Sequence, residues 1–272
     1  MRRRAPVTLW VGAVLVGLVV LAALLSLVWL PHPLQDTSGG RLQGASWQYL
    51  LGTDRLGHDQ LTRVLLGARL ALTVGFGAVV VAAVLGTSLG IAAALSRSWV
   101  DDAAATLLDV LIAFPTLLLA MLVVAGVGAS IWTVTLAIGL SAAAVVARLA
   151  RILANGVLRQ QFALAARTSG AGTARLVTHH VLPNIWPMVT VNLALLFGGA
   201  VLAEAGLSYL GLGAPPPNAS WGNLLHEAQS TFLTQPLGAV APGVAIVTLV
   251  VGMNLLSDGV RTVVDPTLRE RA

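Results

Sequence analysis

The stretch Arg148–Pro187, RLARILANGVLRQQFALAARTSGAGTARLVTHHVLPNIWP, is a polar island between long apolar runs. It is the longest polar interruption after the first seventy residues and holds five of the sixteen basic residues. The runs on either side are far longer than strands and do not alternate, so they read as helices and not as barrel strands. Which side of a membrane this island faces decides how every other run is threaded.

Composition sets the class. The 272 residues are 57% hydrophobic and only 10% charged, with a mean hydropathy of +0.86. A soluble domain carries roughly 25% charged residues, so this chain lacks the polar surface to dissolve and reads as an integral membrane protein. It has no Cys, which excludes thiolate catalysis, Cys-ligated metals and disulfides. All sixteen Lys+Arg positions are Arg. A P-loop needs a Lys at the β/γ-phosphates, so ATP chemistry, if any, belongs to another subunit. The net charge of +5 does not imply nucleic acid, because the arginines flank apolar runs, where they set topology.

In chain order, Arg2, Arg3 and Arg4 precede an unbroken apolar run from Val7 to Leu30, with Trp10 and Trp29 near its ends. No small-residue cleavage site follows it, only Pro31-His32-Pro33, so it reads as a signal anchor. Further spans are expected at roughly Leu70–Leu95, Ala104–Val127, Ile131–Ala147, Ile185–Ala205 and Leu237–Leu256. That makes an all-α polytopic membrane protein with six transmembrane helices. Threading these spans leaves twelve arginines on one side and four (Arg41, Arg55, Arg63, Arg69) on the other. The positive-inside bias then predicts both termini, and Arg148–Pro187, in the cytoplasm.

Between the first two spans, Thr53, Asp54 and Gly57 read as turn residues and Asp59 as a helix cap. Leu61, Val64, Leu65 and Ala68 follow at i, i+3, i+4 and i+7, which predicts an interfacial helix feeding the second span. The third span carries Asp109 and Pro115. Asp109 is placed near the cytoplasmic end, where it reads as a structural ion pair with Arg148 or Arg151 in preference to a transport site. Pro115 is expected to kink its helix.

Within the island, Phe162, Ala165, Ala166 and Ser169 recur at helical spacing and are mostly small, a face that lets another surface approach closely. Gly170 is placed for a left-handed C-terminal cap. Thr173 is expected to cap a second short helix, ended by Pro183, with Pro187 opening the fifth span. The expectation is a helix–turn–helix along the inner membrane surface.

This segment resembles the EAA loop of ABC-importer permeases, whose pattern is Glu-Ala-Ala, three residues, Gly, and a run ending in Leu-Pro. Here it stands as Leu164-Ala165-Ala166, Arg167-Thr168-Ser169, Gly170, closed by Val181-Leu182-Pro183-Asn184. GTDRLGHDQLTRVLLGAR (52–69), LLDVLIAFPTLLLA (107–120), AEAGLSYLGLGAPPPNASWGNLL (203–225) and NLLSDGVRTVVDPTLR (254–269) resemble blocks of the dipeptide/oligopeptide/nickel permeases, C-type subunit. Two departures stand out: Leu164 replaces the family's Glu, and His58 stands where relatives often have Arg.

The resemblance implies the type I importer fold over one permease domain spanning 1–272, with core helices at about 70–260. It implies ATPase coupling through Leu164, Ala165, Ala166, Arg167, Gly170 and Ala171. It also implies several partners: a second, B-type permease subunit, two nucleotide-binding subunits that hold ATP and Mg, an external substrate-binding protein and membrane lipid. The expected location is the bacterial cytoplasmic membrane. The chain itself is expected to carry no cofactor and no metal, and to hydrolyse nothing. Asn192, Glu204 and Ser208 are polar groups on the fifth span that suit a translocation path. Glu204 reads equally as a gate or as packing within the permease pair. Short peptides are the expected cargo, with nickel or another small chelate as the alternative within the family. An ion-coupled secondary transporter or channel is the alternative outside it; that class predicts paired midplane charges or broken helices in related halves, and the sequence shows neither, only Asp109 and Glu204 near opposite ends of their spans.

Overall fold

The computed structural model describes residues 7–264. Every named element is helical. Helix α1, Val7–Val28, has 22 uncharged residues and is about 33 Å long, enough to cross a hydrocarbon core. Helix α2 runs unbroken over Gln60–Leu95, with one π turn at Ala82–Gly86. Then come α3, Ser98–Ala113, α4, Thr116–Val127, α5, Ile131–Leu158, and the short α6, Gln161–Thr168. Helix α7 covers Thr173–Tyr209, α8 Trp221–Ala228 and α9 Leu237–Val264.

Five of these, α1, α2, α5, α7 and α9, are long and apolar enough to cross a membrane. The third expected span, Ala104–Val127, is instead the pair α3 and α4, bent by 86° at their junction, and six spans are reached only if that pair counts as one. Pro115 is the cause: it lacks an amide hydrogen and pushes Phe114 out of the helical region, to φ −79° and ψ 132°. The expected kink is therefore a full break.

Three other expectations are corrected. The helix starting at Asp59 is not a separate interfacial piece but the first turns of α2; the Asp59 carboxylate caps it by accepting from the amides of Leu61 and Thr62. The second short helix of the polar island does not end at Pro183, nor does Pro187 begin a new span, because α7 continues through both. A π turn at Val177–Val181 shifts the hydrogen-bond register just before Pro183, which then sits in the first turn after it, where a missing amide is tolerated. The side-chain amide of Asn184 donates to the His180 carbonyl at 2.6 Å. Thr173 makes no cap; Gly172 holds that position without a side-chain bond.

Lipid tails are as apolar as leucine, so helices in a membrane associate by close packing and not by burying apolar surface from water. The chain supplies small residues at its crossings. A Cβ on Gly86 would lie 2.6 Å from Val146 Cβ, and one on Gly139 2.7 Å from Val81 Cβ, which locks α2 onto α5. Gly12, Gly252 and Gly259 do the same between α1 and α9. Helices α5 and α7 occupy the centre. The core cluster at the arginine-rich end joins Val146, Ala150 and Ala154 of α5 to Leu176, Val181 and Ile185 of α7.

Candidate functional site

At the arginine-rich end, α6 stands as a short exposed ridge. Phe162 is 44% and Leu164 48% exposed, and Ala165 and Arg167 are also exposed. Its anchor is Ala163, which is fully buried in the core cluster with Leu158, Leu176 and Val181. Ala166 is half-buried and packs on the same cluster, so the small-residue face is divided, with Ala165 turned outward and Ala166 inward. Sequence spacing alone did not single out Ala163. The signal was present, since a residue three before Ala166 shares its face.

The ridge ends in a defined stop. Gly170 has φ +81°, its amide donates to Arg167 O at 3.0 Å, and the Ala171 amide reaches Ala166 O at 3.0 Å. This paired pattern is the Schellman motif, and a positive φ here is what favours glycine. Gly170 and Ala171 thus fix how α6 is attached to α7. No atom lies within 4 Å of a Cβ on Gly170, so the requirement there is conformational and not steric.

Two ion pairs tie α3 to α5 beside this ridge. Arg148 Nη1 lies 3.3 Å from Asp109 Oδ1, both side chains about half exposed. Arg151 does not reach Asp109. It forks onto Asp101, Nε at 2.5 Å and Nη2 at 2.8 Å, with Asn155 Nδ2 at 3.4 Å. Asp101 was missed because its partner lies fifty residues away, beyond any local spacing rule.

Glu204 and Ser208, expected on a path, are 2% and 1% exposed. The Ser208 hydroxyl donates to Glu204 Oε1 at 2.6 Å, and Ser208 packs closely on Gly213 of the following loop and Gly222 of α8. They face the chain's own interior. Asn192 is half-buried, and its Oδ1 has no hydrogen-bond partner among the described residues.

The opposite end is a knot of polar loops. Asp54, 7% exposed, accepts from the amides of Leu56 and His58 at 2.8 and 2.9 Å, from His58 Nδ1 at 2.8 Å and from Arg63 Nη1 at 2.8 Å. Burial alone would push its carboxyl up, but the His58 hydrogen bonds and the Arg63 charge outweigh it and hold it below the usual 3.8. Arg63 also forks onto Glu227 at 2.6 and 2.8 Å, which fastens α2 to α8. Gln235 Nε2 donates to Leu42 O at 2.5 Å. Trp221, 2% exposed, lies against Gly67 and donates its indole N–H to Val64 O at 2.9 Å. Among the described residues no group of three or more His, Cys, Asp or Glu is placed to hold a metal ion.

This arrangement has relatives. The family described as binding-protein-dependent transport system inner membrane component matches residues 86–270. A dipeptide transport system permease protein of Alkalihalophilus pseudofirmus is 35% identical over 262 residues, covering 94% of this chain and 86% of the relative. A Brucella suis protein with a provisional peptide-transport permease name is 38% identical over 274 residues, 99% of this chain and 90% of that one. Among solved structures, the crystal structure of an amino acid ABC transporter with histidines matches 76% of this chain and 94% of its own, with TM-score 0.52 and 16% identity. At that identity the last match speaks for the fold alone.

Proposed function

Because this chain belongs to the family of binding-protein-dependent transport system inner membrane components, we propose that it is half of the pore of an ATP-driven importer of short peptides. It is a multi-pass protein of the bacterial plasma membrane. The whole of 1–272 acts as one permease domain beside a second permease subunit. The arginine-rich end faces the cytoplasm, where two nucleotide-binding subunits hold ATP and Mg, and an external binding protein delivers cargo to the knot end. The peptide assignment follows the names of the relatives.

The observation that carries the coupling role is the exposed α6 ridge, rooted by Ala163 in the cluster that joins α5 to α7. A ridge rooted in two long helices moves them when a partner moves it. Leu164, where the family motif has Glu, makes the contact apolar. Closure of the nucleotide-binding pair on Leu164, Ala165 and Arg167 then rocks α5 and α7 between inward-facing and outward-facing arrangements.

The test is the assembled complex in proteoliposomes with its binding protein and a labelled dipeptide or tripeptide. Wild type should accumulate peptide and show peptide-stimulated ATP hydrolysis. Ala165→Arg, at an exposed position, should assemble normally yet lose the stimulation. Full stimulation in that variant would remove α6 from the coupling role, and a wild-type complex that accumulates no peptide would overturn the cargo.

A further inference from the structure

The chain leaves helical geometry at Phe114 and Pro115, far from either end of the bundle. Helix α4 has 12 residues, which places Thr116 about 17 Å from its Val127 end. The groove beside Thr116 is also lined by Ile138, Ala142 and Val145 of α5. Ala142 lies about 17 Å along α5 from Ile131 at the helical rise. Two helices thus place the break at the same depth, inside a hydrocarbon core about 30 Å thick.

At that depth the main chain lacks partners. The amides of Thr116, Leu117 and Leu118 and the carbonyls of Ile112, Ala113 and Phe114 make no hydrogen bond among the described residues. Phe114, Pro115 and Thr116 are all exposed on the surface of the chain. Lipid offers no hydrogen bonds, so non-helical backbone persists at membrane depth only where protein or water covers it. Beside the break lies a groove of about 340 Å³ between α4, α5 and α7. Gly199 opens into it: a Cβ there would meet nothing within 4 Å.

We propose that the broken α3–α4 junction and this groove form this chain's wall of the water-filled translocation path. Thr116, Ala142, Leu196, Gly199 and Ala203 line it; Glu204 and Ser208 do not. This rests on the importer reading above and deepens it. Water satisfies the six freed backbone groups and carries the cargo past them. The groove residues present one hydroxyl and no charge, which suits short peptides with apolar side chains that must leave as readily as they enter.

The chain contains no Cys, so single-cysteine variants of this subunit need no background substitutions. In the assembled complex, Thr116→Cys and Gly199→Cys should react with a charged, membrane-impermeant thiol reagent in at least one nucleotide state. Leu18→Cys, on the exposed apolar face of α1, should not. Gly199→Phe should fill the groove, with loss of peptide uptake but retention of ATP hydrolysis. Thr116→Cys reacting only with a membrane-permeant reagent in every nucleotide state would mean that lipid or a partner helix covers the break, and would overturn the proposal. So would wild-type uptake by Gly199→Phe. If the wild-type complex carries no peptide, the importer reading fails, while the labelling still decides whether the groove holds water.

Discussion

Asp54 holds the knot through one carboxylate shared by His58 and Arg63. Removing its charge leaves buried donors under-satisfied, so Asp54→Asn should cost about 1–3 kcal/mol, read as a lower Tm for the purified complex. An unchanged Tm would show that the Arg63–Glu227 fork suffices without it. Its folded carboxyl titrates below the usual 3.8. As pH falls the unfolded chain therefore takes up the proton first, and the contribution of Asp54 is complete above the ordinary carboxylate value and drains away through the lower, folded one. Wild type should accordingly lose stability in acid below about pH 4, and Asp54→Asn should lose less over that window. The turn residues here were legible in sequence: Asp59 caps α2, and Gly57 has φ +94°. The partners were not, since Glu227 lies 164 residues from Arg63.

Among the helices, α2 and α5 cross with little room between their backbones. A Cβ on Gly90 would collide with the Ala147 carbonyl, and it would lie 2.8 Å from Ala150 Cβ. Gly90→Leu should destabilise the subunit by about 1–3 kcal/mol through overpacking, measurable by thermal denaturation of the complex in detergent. Gly17 has nothing within 4 Å of a Cβ, so Gly17→Ala, which also favours the helix, should be tolerated or mildly stabilising. Equal effects of the two substitutions would contradict the crossing. Helix existence followed from apolar run length, and the site of the break followed from Pro115. Its 86° size did not, because the angle depends on how α3 is drawn onto α5 by Arg148 and Arg151. The passage of α7 through Pro183 and Pro187 was hidden for a related reason: proline marks a boundary unless a register shift, here the π turn at Val177–Val181, lets the helix continue.

For the molecule as a whole, the lack of any Lys denies this chain a Walker A site. The purified chain alone should show no ATP hydrolysis, and activity should appear only when nucleotide-binding subunits are added; turnover by the chain alone would contradict the assignment. Sequence by itself determined the membrane class, the helical architecture and the short α6 helix with its stop at Gly170, because each rests on local terms: hydropathy over a span, period along a helix, and a glycine at a positive-φ stop. Only the tertiary structure decided which side of α6 is free, which acid each arginine meets, and that Glu204 faces inward while the Phe114–Pro115 break lies open. These are matters of what packs against what. In lipid that depends on the close fit of surfaces distant in sequence, which no local pattern encodes.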